Sequence, residues 1–260
     1  MASSFSLRSS SSILDMLMIT ALLATAPPKV MSKRLFVAIE LPDFVRQHCQ
    51  ELITEQLLPL DQNNDFNVEL PTTPSSSVKW VLDESMFHCT LQFLGAVDQA
   101  KNSDLTQALS QACRRIPPTT LRLGNIGCFP HRNSAKNARV IWLGLESASN
   151  NKGELANISR AIMDATEPLG FQREKRSFSA HVTLGRVRSR PMEGKKRRRK
   201  WKSKPMDLST YLQKHLEEAM ETKNDNLEVF ELRHVALIES ILSKQGPSYQ
   251  TLERFDLLGS

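Results

Sequence analysis

The chain has 260 residues, 40% of them hydrophobic and 24% charged, which is ordinary globular composition and excludes a coiled coil, a collagen-like repeat or a wholly disordered chain. Its net charge of +6 is misleading as a surface property. The run Lys195-Lys196-Arg197-Arg198-Arg199-Lys200-Trp201-Lys202-Ser203-Lys204 alone carries eight positive charges and no acid, so the rest of the chain is slightly acidic.

Residues 1 to 32 read as an address rather than as fold. They are Ser-rich up to Ser12, hold one acid at Asp15, and continue into an apolar run from Met16 to Ala26 that ends in Ala24-Thr25-Ala26-Pro27-Pro28. The run is short for a bilayer, so no stable membrane anchor is expected. A secretory signal and an organelle transit peptide fit equally, and a start at Met31 would leave a cytosolic protein. The folded domain is expected over 33–258, as a monomer.

Arg34 to Glu40 alternates as a strand, with Leu35, Val37 and Ile39 on one face. Pro42 and Asp43 open a helix whose apolar stripe is Val45, Cys49, Leu52, Ile53 and Leu57. A polar loop follows over 58–77. Val78, Trp80 and Leu82 then start a strand that turns at Asp83-Glu84-Ser85 into Phe87-His88-Cys89-Thr90-Leu91-Gln92-Phe93-Leu94-Gly95. The stretch alternates strictly, so His88, Thr90 and Gln92 share one face, while Phe87, Cys89, Leu91 and Phe93 go to the core.

Ser103 is read as the cap of a second helix, with Leu105, Ala108, Leu109, Ala112 and Ile116 inward and Pro117-Pro118 as its stop. Two strands follow, from Leu121 to Ile126 and from Val140 to Leu145, joined by a basic loop, His131 to Arg139. A third helix, Gly153 to Leu169, buries Leu155, Ile158, Ile162 and Met163 and ends at Gly170. Next comes Phe178-Ser179-Ala180-His181-Val182-Thr183-Leu184-Gly185-Arg186, a second H-x-T-L strand 93 residues after the first. Beyond the basic run, Leu208, Tyr211, Leu212, Leu216 and Ala219 mark a fourth helix, and two strands, Glu228 to Glu239 and Tyr249 to Leu257, flank Gly246-Pro247.

Helices interleaved with tightly joined strands predict an α+β architecture with mainly antiparallel sheets. One H-x-T strand in each half predicts two similar lobes facing across a cleft. The four cysteines, Cys49, Cys89, Cys113 and Cys128, have no metal-ligand spacing, and the first two with Cys113 fall at apolar positions, as buried free thiols would.

Two imidazoles aimed into one cleft suit a reaction in which one proton is removed and another delivered, since histidine is available in both forms near neutrality. Phosphodiester cleavage is such a reaction. Thr90 and Thr183, two residues on and on the same face, could donate to non-bridging phosphate oxygens. No paired carboxylates for a two-metal route are evident, so no metal or other cofactor is expected. The bland alternative for either strand is a polar residue on the wet face of a half-buried sheet. His48, His215 and His234 are given that reading, while His131, beside Arg132, Lys136 and Arg139, fits either RNA contact or solvation.

Lys33 to Pro42, the two H-x-T-L motifs, Gly127-Cys128-Phe129-Pro130, Arg139-Val140-Ile141-Trp142, Glu239-Ser240 and Gly246-Pro247-Ser248-Tyr249 together resemble the two-histidine (2H) phosphoesterases. Among these the chain is most similar to the RNA 2′,3′-cyclic phosphodiesterases, historically called 2′-5′ RNA ligases. The resemblance implies a bilobal α+β fold, two mainly antiparallel sheets with flanking helices around a central cleft. It also implies metal-independent opening of RNA 2′,3′-cyclic phosphate ends to 2′-phosphates, with 2′-5′ ligation as the reverse. By motif order His88 corresponds to the acid and His181 to the base, with Thr90 and Thr183 on the phosphate. Arg186 adds a cation if a bulge at Gly185 turns it toward His181; a structural salt bridge is the alternative. A catalytically idle RNA- or nucleotide-binding module, and the same chemistry on another oligonucleotide or cyclic nucleotide, are the competing readings. The basic insertion 190–205 departs from the family plan and reads as a solvated loop, an RNA-backbone contact or a localisation signal.

Overall fold

The computed structural model describes residues 32–59, 78–130, 139–149, 153–187, 229–244 and 246–259. The targeting-like N-terminus, most of the loop over 58–77, His131, Arg132, Lys136, the basic insertion and the expected fourth helix with His215 lie outside these residues.

Among the described residues nine strands form one sheet. In chain order they are β1 (Ser32–Glu40), β2 (Val78–Trp80), β3 (His88–Asp98), β4 (Thr119–Phe129), β5 (Val140–Ser147), β6 (His181–Val187), β7 (Phe230–Leu232), β8 (His234–Ser243) and β9 (Gly246–Asp256). The helices are α1 (Asp43–Glu51, continued by a wider-wound turn, Leu52–Leu57), α2 (Asn102–Arg114) and α3 (Glu154–Thr166). The strand order is β7-β4-β5-β6-β3-β1-β8-β9, with β2 also on β6, and every pairing is antiparallel. The two expected lobes are the two arms of this sheet, joined where β3 meets β6 at the pair Cys89 and Val182. One residue, Arg233, separates β7 at one end of the order from β8 near the other, so the sheet must curl until its ends are neighbours. The strand expected over Glu228 to Glu239 is thus two strands, one in each arm.

Both arms share one apolar core. Leu35, Val37 and Ile39 of β1, Ile141, Leu143 and Leu145 of β5, and Leu105, Leu109, Ile158 and Ile162 of α2 and α3 all belong to it. Burying side chains of this size contributes about 1.5–3 kcal/mol each. Leu82, expected to continue β2, is instead exposed. In α3, Ser159 and Thr166 take the innermost places along with Leu155, Ile158 and Ile162, and Met163 is only half-buried. Ser103 does not cap α2; a single 3-10 turn, Gln99–Lys101, leads into the helix, and the Asp98 carboxylate accepts from the Ala100 N–H at its start. Gly170 does end the third helical segment in the left-handed region, with φ 88°.

Candidate active site

The sheet brings the two H-x-T strands side by side. Because Cys89 pairs with Val182 and the strands run antiparallel, the next positions along the ladder set His88 against Thr183 and Thr90 against His181. All four lie on the face opposite Cys89 and Val182, which are wholly buried. His88 and His181 are thus diagonal neighbours across the strand pair, at a standard spacing of roughly 7–8 Å.

Each imidazole is held the same way. His88 Nδ1 lies 2.8 Å from the Met86 carbonyl oxygen, and His181 Nδ1 lies 2.7 Å from that of Ser179, in both cases two residues back. A carbonyl only accepts, so Nδ1–H donates and Nε2 is the nitrogen that exchanges protons. Around His88 stand Phe36, at 5.0 Å between ring centres, and Tyr249, edge-on at 4.9 Å. Around His181 stand Phe129, edge-on at 4.8 Å, and Trp142 at 6.3 Å.

These walls set the proton affinity of His88. Burial lowers its pKa most, the hydrogen bond to Met86 opposes this, and the nearby charges of His181 and Arg186 lower it again, to about 4. His88 is therefore neutral at pH 7 in this structure.

The alternation expected in the first motif does not survive past Thr90. Thr90 pairs with Ala38 and Gln92 with Val37, leaving Leu91 as an extra residue. Gln92 consequently turns inward, only 3% exposed, and its side-chain oxygen accepts from Thr166 Oγ1 at 2.9 Å. Phe93, assigned to the core by simple alternation, comes out on the cleft face and is 66% exposed. The second motif does the same. Thr183 pairs with Trp142 and Gly185 with Ile141, so Leu184 is the extra residue and Arg186 falls on the cleft face with His181. The bulge that Arg186 requires thus exists, one residue before Gly185. Each bulged leucine's carbonyl is satisfied off the ladder, Leu91 by Ser159 Oγ at 2.8 Å and Leu184 by the Val81 N–H at 2.9 Å. Gly185 has its own reason to lack a side chain: a Cβ would sit 2.7 Å from Val78 Cγ1 and 2.8 Å from Trp80, where β2 crosses.

His234, given a bland reading, joins a different cluster on the same face. Glu40, Cα partner of His88, accepts from Thr251 at 2.7 Å and from Arg254 at 2.5 and 3.0 Å, with His234 at 3.3 Å. The four cysteines are free; Cys49, Cys89 and Cys113 are buried, and burial pushes each of these three thiols up to about 12. Among the described residues no three His, Cys, Asp or Glu side chains converge as a metal ion would need, and no helix is long and apolar enough to cross a membrane.

Comparison with known proteins agrees with this geometry. Residues 82–240 match the model of the 2′-5′ RNA ligase superfamily. The RNA 2′,3′-cyclic phosphodiesterase of Archaeoglobus fulgidus is 28% identical over 223 residues, 86% of this chain and 99% of its own. That of Aeropyrum pernix is 30% identical over 67% of this chain and 84% of its own. Among solved structures, a Thermus thermophilus protein covers 87% of this chain and 98% of its own at a TM-score of 0.57 and 21% identity. Escherichia coli LigT covers 86% and 97% at 0.54 and 20%, so the α+β fold is shared even where sequence has diverged. With both H-x-T strands meeting in one cleft and the family model spanning most of the described residues, the chain belongs to the 2′-5′ RNA ligase superfamily.

Proposed function

We propose that the protein hydrolyses RNA 2′,3′-cyclic phosphate ends to 2′-phosphates by paired histidine catalysis without a metal. The observation that carries this is the antiparallel pair Cys89 and Val182, which puts His88, Thr90, His181 and Thr183 on one face of the sheet. The names of the Archaeoglobus and Aeropyrum relatives support the substrate class.

In this reading the cyclic phosphate lies between the lobes. Thr90, Thr183 and Arg186 hold its non-bridging oxygens, where charge grows as water adds to phosphorus. His181 removes the proton of the attacking water, the P–O3′ bond breaks, and His88 delivers a proton to the departing 3′ oxygen. The low proton affinity of His88 is compatible with an acid role because the phosphate's negative charge acts against the effects of His181 and Arg186. With an RNA 5′-hydroxyl in place of water, the same steps make a 2′-5′ linkage.

The test is to incubate the purified protein with an RNA ending in a 2′,3′-cyclic phosphate, with and without excess chelator, and identify the product end. A 2′-phosphate formed at equal rate in both is expected. A 3′-phosphate product, or activity abolished by chelator and restored by one divalent ion, defeats the reading.

A further inference from the structure

Three cations share the cleft face with the histidines. Arg186 reaches that face through its bulge, and Lys79 of β2 is its Cα partner, so the two point the same way, while Val78 and Trp80 on either side of Lys79 are buried. On the other arm Arg34 precedes the buried Leu35 and lies two positions before Phe36, which puts it on the face where Phe36 meets His88 and Tyr249. All three residues are exposed. Among the described residues none of the three forms an ion pair. The acids of β1 and β8 are engaged elsewhere, Glu239 with Lys33 at 2.6 Å and Glu40 with Arg254 at 2.5 Å.

Tyr249 marks how these charges are arranged. Its ring stands edge-on to His88 at 4.9 Å, and its hydroxyl feels Arg186 from one arm and Arg34 from the other, against the stronger opposing effect of its burial. Past Tyr249 the β8–β9 hairpin reaches the second arm: a Cβ on Gly246, at the start of β9, would lie 3.5 Å from Lys79 Nζ. The cations therefore extend from the histidine pair, past Tyr249, toward the hairpin turn. Like charges set directly across a strand pair, as Lys79 and Arg186 are, cost stability. One phosphate, held by Arg186 and two threonine hydroxyls in the reading above, leaves Lys79 and Arg34 without an anion. An RNA end supplies a second one at fixed covalent reach, the phosphate on the 5′ side of its terminal nucleoside.

We propose that Arg34 and Lys79 form a second phosphate subsite, which takes the 5′-side phosphate of the terminal nucleotide while Arg186 stays on the reacting one. This rests on the reading of the cleft as an RNA-end site and deepens it: a protein with this subsite selects the end of a chain over a cyclic mononucleotide, which carries no 5′ phosphate. The like-charge pair that weakens the free fold is then offset when the strand is bound.

The experiment is calorimetric titration of the full chain with adenosine 2′-phosphate and with adenosine 2′,5′-bisphosphate, which share base, ribose and 2′-phosphate and differ only in the phosphate in question. Wild type is expected to bind the bisphosphate about 10-fold more tightly, the low end for charge-assisted contacts. Lys79→Gln and Arg34→Gln should each lose most of that preference and leave the affinity for adenosine 2′-phosphate unchanged, and Lys79→Arg should keep the preference. Lys79→Gln should not lower the thermal transition, because it removes one of two like charges that face each other. Equal affinity of wild type for the two ligands overturns the subsite, as does full preference in both Gln variants. A loss that falls equally on both ligands also overturns it, since the two cations then act only on the first phosphate. The titration needs no turnover, so the RNA-end assay above can fail while this preference persists, and the two readings fall separately.

Discussion

The two lobes use one backbone plan and fill it differently. Each has a motif strand that pairs antiparallel with an earlier partner strand, a helix between the two, a bulged leucine after H-x-T, and a histidine donating to the carbonyl two residues back. At the equivalent of Ala38 in the first lobe, the second has Trp142; opposite its histidine the first has Glu40, the second Gly144. Backbone repetition is what places four catalytic-type side chains on one face. The departures decide what each side of that face can touch, so the repeated scaffold presents two chemically different walls.

Replacing the repeated histidines should have the largest effect. His88→Ala and His181→Ala are each expected to cut turnover by roughly 10²- to 10⁴-fold with the fold intact, read by initial rates and circular dichroism. A variant with near-wild-type rate would break the pairing. Their roles are separated by titrating the ring nitrogens in an NMR experiment. In the empty protein His88 should stay neutral until about pH 4. With adenosine 2′-phosphate bound its midpoint should rise; if it does not, His88 is the base and the assignment reverses. The depressed affinity also has a sign for stability. The unfolded chain binds the proton more readily, so the folded state loses stability as pH falls from about 6.5 towards the folded value, and His88→Gln should flatten that loss.

Thr90→Ala and Thr183→Ala should fall next, each losing about 10- to 100-fold in rate as one donor to a charged phosphate oxygen is removed. Equal losses would mean the repetition is functional as well as structural. A loss confined to Thr183, the lobe that also holds Arg186, would mean that the phosphate is carried mainly by the second lobe.

Much of this was legible from alternation and order: β1, α1, the two motif strands, α3 and the facing of His88, Thr90, His181 and Thr183. A bulge is a local insertion in the ladder against a partner strand far away in sequence. Nothing in Thr90-Leu91-Gln92-Phe93 itself announces that Gln92 will be pulled inward by Thr166, or that Phe93 will be put out. In the second strand, the same inference was reachable because an arginine in an apolar run demands a reason. Phe93 made no such demand, since a phenylalanine assigned to the core looks satisfied. The division of Glu228 to Glu239 at Arg233 was hidden for a similar cause: both pieces alternate alike, and only the curl of the sheet assigns them to different partners.

A glycine sharpens the comparison at intermediate size. A Cβ on Gly127 would lie 2.4 Å from the Trp142 ring, which stacks near Phe129 at 5.2 Å and stands beside His181. Gly127→Ala must therefore displace the indole, costing about 1–3 kcal/mol of stability by overpacking. The disturbance should reach His181 and leave the His88 side, walled by Phe36 and Tyr249, unaffected. Chemical shifts of the two imidazoles measured in the variant would reveal it, and an equal change in both would mean that the lobes do not move independently.

The smallest effect is expected at Glu40, where the second lobe has only Gly144. Burial pushes this carboxyl up, but hydrogen bonds from Arg254 and Thr251, then the charges of Arg254 and His234, outweigh it and hold it below its ordinary 4.5. A carboxylate depressed in the fold contributes stability that is complete above its unfolded pKa and is lost as pH falls through the folded one. Arg254 is more than half exposed, so solvent screens the pair and its contribution is at the low end, under about 1 kcal/mol. Glu40→Gln keeps the shape and removes the charge. It should lower the melting temperature slightly at pH 7, and the difference should shrink as pH falls through the lowered value of the wild-type carboxyl. Because the network ties β1 to β9 on the face that carries His88, a larger drop at neutral pH, accompanied by a lower turnover, would mean that Glu40 also fixes the first histidine strand. Gly144 offers the second lobe no such brace, so that result would make the two histidines differ in what positions them as well as in what surrounds them.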